Sequence, residues 1–395
     1  MAGTSFFHGV TTSLVQGGAR TISVPSSSII GLVAERSQGW AAEANPGNVA
    51  PGVPVMLTTE REAIAAFGEN SPITRAAQAI YTRAKAVIVA ISLAPLADAA
   101  AMTSAVIGGV RADGTRTGLQ GLLDGKSLFN AQPRLLIAPG HSSKVAVATA
   151  MDALAEKLGG LAIIDGPNTT DEAAMAYAEG FGGKRLFMVD PGVKYWDTAA
   201  NADVNAPASA WVAGLFAWTD ATFGFWASPS NKEFVGVTGT TRPVEFNDGD
   251  PTCRANLLNN AKIATIIRDD GFRLWGNRTL SSDSKWAFVT RVRTMDMVMA
   301  ALLYGMKPYV DLPITKGMVK DVLESLNGFM RDLRAQGAVI NYEVYVDTER
   351  NTATQLEQGK IYFGVHFTDS PPAENPVFLV DVSNKWITDV LDTRS

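Results

Sequence analysis

IIRDDGFRLWGNRTLSSDS, residues 266–284, is where the chain changes character. Ile263 to Arg268 and Phe272 to Trp275 are short apolar runs separated by Asp269-Asp270-Gly271. Asp-Gly between two such runs is a strong hairpin signal, so Asp270 and Gly271 are assigned to the turn. Trp275 closes the second strand and Gly276, Asn277 and Arg278 follow it, and residues 260 to 395 as a whole differ in texture from those before. Downstream lie two long helical patterns, about Lys285 to Tyr304 and Lys316 to Arg334. Strand patterns follow at Val339 to Val346, Ile361 to Thr368 and Val377 to Val382. The alternation in Ile361-Tyr362-Phe363-Gly364-Val365-His366-Phe367 predicts a strand with one face buried.

Upstream, strands and helices alternate. Helices are expected at Arg61 to Phe67, Ile73 to Arg83, Ser143 to Leu158 and Asp171 to Ala178. Apolar strands are expected at Ala86 to Ile91, Arg134 to Ala138, Leu161 to Ile164 and Arg185 to Val189. That order argues for a parallel or mixed sheet covered by helices, an α/β architecture. Ala206 to Phe225, with Trp211, Phe216, Trp218 and Phe223, reads as a buried helix and its packing partners rather than a cofactor site. Gly236 to Pro243 reads as a crossing between domains, Gly39 to Pro54 as a loop, and residues 1 to 25 as an arm with β-like pieces such as Thr21 to Val24.

The chain has 395 residues, a net charge of −5 and 46% apolar content. At about 150 residues per domain that length suggests two or three domains. The apolar content excludes intrinsic disorder, and the slight acidity argues against a general nucleic-acid binder. Cys253 is the single cysteine, so neither an intramolecular disulfide nor a cysteine zinc site is available. The N-terminus lacks the pattern of a secretory signal. The most apolar stretch, Ala84 to Ala101, is interrupted by Lys85, Pro95 and Asp98, which argues against a membrane span.

Candidate chemistry is sparse. Neither a P-loop nor a G-x-G-x-x-G follows any strand. Pro139-Gly140-His141-Ser142-Ser143 places a histidine and a serine at a strand-to-helix turn, where Ser142 as a helix cap and His141 as an exposed turn residue is the preferred reading. Asp165 and Asp190 stand at strand ends, where open α/β sheets bind ligands. They also precede Gly and Pro, as tight turns require, and the turn reading is preferred.

The second long helix carries a sharper pattern. Advancing about 100° per residue, Lys316, Lys320, Asn327, Arg331 and Arg334 fall within an arc of roughly 60°. Val319, Val322, Leu323, Leu326, Met330 and Leu333 form the adjoining apolar face. A basic stripe of this kind is either a solvated face or a docking surface for an acidic partner.

The stretch 266–284 resembles the contractile tail sheath family, close to the sheaths of R-type pyocins and myophages. SFFHGV at 5–10, GVTGTTRPVEF at 236–246, CRANLLNNAKIATIIR at 253–268, SKWAFVTRVRTMD at 284–296 and FTDSPPAENP at 367–376 agree with it. The resemblance covers nearly the whole chain, is strongest over 120–300, and weakens at 35–55, 90–115 and 304–315. It implies a multi-domain, mixed α/β sheath fold. Residues 1–25 would be an N-terminal arm and inner strand, 26–251 an inserted outer domain, 252–380 an inner tube-facing domain and 381–395 a C-terminal arm.

The family further implies a homo-oligomer of hexameric rings stacked helically around a tail tube, with baseplate and tail terminator proteins as further partners. Contraction from a metastable extended lattice would drive the tube through a bacterial envelope. The setting would be a virion tail or bacteriocin particle made in the host cytoplasm, with no cofactor, nucleic acid or membrane involved. Arms would join neighbouring subunits by β-strand addition, here through Ile22, Val24, Phe378, Val380 and Val382. The basic stripe Lys316, Lys320, Arg331 and Arg334 is assigned to tube contact, with Arg291 and Arg293 on the first long helix as the alternative. The rival readings are an α/β nucleotide- or small-molecule-binding enzyme and another tail component. The two long helices argue against a tube subunit.

Overall fold

A computed structural model describes residues 20–37 and 47–391. The strands are β1 (Ile30–Glu35), β2 (Pro54–Leu57), β3 (Ile88–Leu93), β4 (Leu135–Ile137), β5 (Leu161–Asp165), β6 (Leu186–Val189), β7 (Val193–Asp197), β8 (Ala202–Ala206), β9 (Val237–Thr240), β10 (Ile263–Arg268), β11 (Phe272–Trp275), β12 (Val339–Val346) and β13 (Phe363–Asp369). The helices are α1 (Glu60–Phe67), α2 (Pro72–Tyr81), α3 (Ala99–Ile107), α4 (Gly125–Phe129), α5 (Val145–Leu158), α6 (Asp171–Glu179), α7 (Ser209–Phe223), α8 (Arg254–Asn260), α9 (Val289–Gly305), α10 (Lys316–Ala335) and α11 (Ala353–Glu357).

An eight-stranded sheet of order β11-β10-β6-β5-β4-β1-β3-β2 forms the larger lobe. Its interior pairings are parallel, and the edge strands β2 and β11 run antiparallel. Helices cover both faces, which is why the strands read as unbroken apolar runs. Alternate residues divide between the two cores. Leu135, Ile137, Ile163 and Phe187 meet α1, α2 and α7, while Leu136, Ala162, Ile164 and Met188 meet α3 and α5. Local signals fix the helix starts: Thr59 and Glu62 form a capping box on α1, and Ser71 caps α2 with Pro72 in its first turn. The aromatic helix α7 is buried along most of its length, with Phe216 edge-on to Phe187.

The smaller lobe packs α9 and α10 against the antiparallel pair β12–β13. Its core contains Met297, Ala301, Val322, Leu326, Phe329, Met330 and Leu333. Ile22 is buried in that core, and the Arg20 amide donates to Ser325 Oγ at 2.7 Å.

Several expectations need correction. The hairpin around Asp270 and Gly271 forms as read, but β10 pairs in parallel with β6, so residues 263–275 belong to the large sheet rather than to the inner lobe. Composition could not reveal this, because the two lobes share one apolar vocabulary. Gly236 to Pro243 is no crossing: Val237–Thr240 pairs with β7 in a three-stranded sheet, β8-β7-β9. Thr21 to Val24 forms no strand, since Ile22 and Val24 pack on α9 and α10 of their own subunit. Val377 to Val382 forms no strand within the subunit either. Helix α5 starts at Val145, and Ser142 does not cap it. Residues 1–19, including SFFHGV, and 392–395 of the C-terminal arm lie outside the described residues.

The lobes are joined by buried charge. Arg293, 5% exposed at its side chain, grips Asp220 of α7 with two hydrogen bonds, Nη1 to Oδ1 at 2.7 Å and Nη2 to Oδ2. Ser27 Oγ donates to the same carboxylate at 2.6 Å, and the Ser27 carbonyl accepts from Arg293 at 3.3 Å. Nearby, Arg185 bridges Asp296 of α9 and Glu156 of α5. Removing one partner of a buried pair strands the other charge. Asp220→Ala should therefore cost about 3–5 kcal/mol of unfolding free energy in urea titrations. The less buried pair Arg291–Asp369 should cost about 1 kcal/mol or less when Arg291 is truncated.

Candidate functional site

The strand-end carboxylates form structural ties. Asp165 Oδ1 accepts from the Ser209 amide at 2.8 Å, and Oδ2 accepts from Ser209 Oγ at 2.6 Å and Ser142 Oγ at 2.9 Å. Ser142 Oγ in turn accepts from the Asp165 amide at 2.9 Å, which welds the loop after β4 to the end of β5 and the start of α7. Burial pushes the Asp165 carboxyl above its usual range, against the pull of the serine hydrogen bonds. Burial likewise raises Asp190, opposed by Arg242, which bridges Asp190 and Asp171.

His141 is buried rather than exposed, with Nε2 3.2 Å from Glu35 Oε1 and a pKa lowered chiefly by desolvation. Among the described residues no hydrogen bond joins Ser142 to His141, and no group of three potential metal ligands occurs. A serine committed to a buried carboxyl and a histidine facing another strand lack the nucleophile–base geometry that acyl-transfer chemistry needs.

The unsatisfied surfaces lie at the other end. β12 and β13 form a two-stranded sheet, so each has an outer edge without a strand partner among the described residues. One face of the pair rests on α10 through Tyr342, Val344, Phe363, Val365 and Phe367, all only partly buried. The chain leaving β13 is held where Arg278 Nε donates to Glu374 Oε1 at 2.8 Å, with a second bond from Nη2 to Oε2. Beyond that anchor Val377, Phe378, Leu379, Val380 and Val382 are exposed, Leu379 at 96%.

The motif residues build this anchor. Asp270 and Gly271 make the turn, both at positive φ, and Trp275 packs edge-on against Phe246. Gly276 sits at φ +132°, where a Cβ would come within 2.8 Å of the Ala264 Cα. The Asn277 carbonyl accepts from the Val289 amide at 3.0 Å and starts α9, and Arg278 reaches the tail. Sequence reading missed Glu374, Ser27 and Asp220, whose partners lie 96, 266 and 73 residues away, where no local spacing signals them.

The basic stripe stands on the open face of α10. Lys316, Lys320, Arg331 and Arg334 are exposed, while Val322, Leu326, Phe329, Met330 and Leu333 are buried on the other side. Lys320 has a loose contact with Glu324 at 3.6 Å, the single ion pair found for the four among the described residues. The alternative pair fails: Arg293 is buried on Asp220, and Arg291 is tied to Asp369 at 2.8 Å. Ile22 is buried and Val24 partly buried against their own subunit, and neither belongs to a strand within it.

No helix is long and apolar enough to cross a membrane among the described residues. In comparisons with known proteins, the phage tail sheath protein central domain matches residues 114–280 and the phage tail sheath C-terminal domain residues 281–383. A prophage major tail sheath protein of Pseudomonas aeruginosa strain UCBPP-PA14 is 66% identical over 98% of this chain and 99% of its own length. The chain also superimposes on the sheath of an extracellular contractile injection system, PVC, in its contracted state. That match has a TM-score of 0.71 and 16% identity, and covers 97% of this chain and 99% of the other. The contracted helical sheath of the anti-feeding prophage gives a TM-score of 0.71 at 21% identity, over 95% and 99% of the two chains.

The Asp165 tie can be tested directly. Asp165→Ala leaves three donors without their acceptor and should cost about 2–4 kcal/mol in unfolding titrations. Asp165→Asn should cost under about 1.5 kcal/mol, because burial already favours the neutral carboxyl. The raised folded-state pKa means that Asp165 supports folding below its unfolded pKa, and that support is lost as pH rises through the folded value. The Asn variant should therefore gain on wild type as pH rises above the ordinary carboxylate range.

Proposed function

This chain belongs to the phage tail sheath protein family and is a structural subunit of a contractile tail sheath, and from that premise we propose that its copies link by donating residues 377–382 to the open β12–β13 sheet of a neighbour. The observation that carries this reading is the pairing of a two-stranded sheet bearing open edges with an extended apolar run that has nothing to pack on. An isolated two-stranded sheet is marginal in water, and an added strand satisfies its edge while covering partly exposed side chains. Phe378, Val380 and Val382 alternate with Leu379 and Asp381, so one face of the donated strand is wholly apolar. From Glu374 to Val382 an extended chain spans roughly 26 Å, which sets its reach beyond the anchor.

Contacts of this kind are heterologous, and repeated around six-fold rings they propagate a helical lattice instead of closing. The open stripe Lys316, Lys320, Arg331 and Arg334 faces the tail tube in this reading. Each exposed contact contributes about 0.2–1 kcal/mol, so the grip is strong only in aggregate and can release. Baseplate and tail terminator proteins bound the lattice at its two ends, and the subunits are made and assembled in the host cytoplasm. Contraction follows when a baseplate trigger lets subunits repack into a lattice of lower free energy, driving the tube through the envelope for genome ejection or cell killing. The donated strands keep the subunits connected throughout.

Negative-stain electron microscopy of the expressed chain, with and without its tail tube, tests both surfaces. The full chain should form striated tubes or rings, and truncation after Pro376 should abolish them while leaving a folded monomer. Exchanging all four stripe residues for Glu should leave sheath-to-sheath assembly intact and remove co-assembly with the tube. Tubes that persist after the truncation would contradict strand donation.

A further inference from the structure

A cleft of about 250 Å³ opens between the large lobe and α9, lined by residues at the C-terminal end of α5 and along α9. Five basic and two acidic side chains line it, and the two acidic ones, Glu156 and Asp296, are already paired with Arg185. What remains is cationic. Lys126 and Lys307 sit 4.9 and 5.4 Å from the centre of the Tyr304 ring, and Lys157 stands exposed at the rim. Between these charges lie Met299 and Leu303, the latter 72% exposed. A lipophilic floor ringed by lysines suits a large aromatic side chain followed by a carboxylate.

The chain itself carries such a segment. Residues 386–390 read Trp-Ile-Thr-Asp-Val, in a stretch that forms a short 3-10 turn at Ile387–Leu391. Trp386, Ile387 and Val390 are exposed, Trp386 at 63%. Asp389 makes no ion pair among the described residues. The segment does not occupy the cleft of its own subunit: none of its residues lines that cleft, and the Trp386 ring lies under its neighbour Lys385.

We propose that this segment docks in the cleft of a second copy, with Trp386 seated against Met299 and Leu303 and Asp389 facing Lys126 and Lys307. The inference rests on the proposed association of copies through their C-terminal arms and adds a second attachment point beyond the donated strand. Strand pairing fixes the arm by backbone hydrogen bonds, and a slip of two residues would keep the same face inward. An aromatic anchor a few residues further on fixes the register.

Site-specific photo-crosslinking in assembled tubes of the full chain tests it. A benzoylphenylalanine in place of Lys157 should give a ladder of dimers and higher multimers, with the crosslink mapping to the peptide holding Trp386–Leu391 of another copy. Trp386→Ala should lower the ladder yield about tenfold or more, and Asp389→Lys about two- to fivefold. The same probe in place of Ile340, on the outer strand β12, reports strand donation independently. Crosslinks from the Ile340 probe to residues 377–382, with none from Lys157 or with a Lys157 ladder indifferent to Trp386→Ala, would overturn the docking and leave strand donation standing. Silence from both probes would overturn both.

Discussion

The backbone of β12–β13 has hydrogen-bonding groups on two outer edges and a face only half covered by α10. A sheet of two strands does not hold such a face dry, because edge amides and carbonyls need partners and water competes for them. The chain beyond Glu374 has the opposite deficit: a run of apolar residues with no surface to cover. A single subunit resolves neither deficit in the geometry described, since residues 377–382 form no strand and stay exposed. In the proposed lattice the two deficits cancel between copies, and a subunit that is incomplete alone becomes complete in a polymer.

The rest of the molecule keeps that exchange from distorting the subunit. Burial on both faces of the large sheet fixes the larger lobe. The Arg293–Asp220–Ser27 and Arg185–Asp296 contacts pin α9 to it. Buried ion pairs of this kind add little net stability but penalise any arrangement that separates them. A seam that resists sliding lets the subunit move as one body, and leaves the conformational freedom in the tail beyond the Arg278–Glu374 anchor. That division suits a device that changes lattice without refolding its parts.

Much of this was legible in the sequence, for definable reasons. Leu161 to Ile164 and Arg185 to Val189 announced themselves because both-face burial writes continuous apolar strings. The Asp-Gly turn and the amphipathic α10 are local codes, and both were read correctly. β1, an interior strand of the large sheet, is hidden because Ile30–Glu35 follows a run of three serines and leads into a loop. The lobe boundary was misplaced because parallel pairing of β10 with β6 joins segments some 75 residues apart, a contact that no local pattern encodes. His141 reads as an exposed turn residue because its partner, Glu35, comes from β1 and no local spacing signals it. Of the site, the basic stripe and the exposed apolar tail were readable from periodicity. The ion-pair partners Glu374, which holds the tail, and Asp220, which holds α9, are not, because such pairs depend on tertiary placement alone.

The most direct test is backbone hydrogen exchange at residues 377–382, measured in the unassembled chain and in assembled tubes. Strand donation predicts near-unprotected exchange in the free subunit and slowing on the order of a thousandfold in the tube, with matching protection along the one outer edge of β12–β13 that receives the strand. Unprotected exchange at these residues in both states would contradict the account.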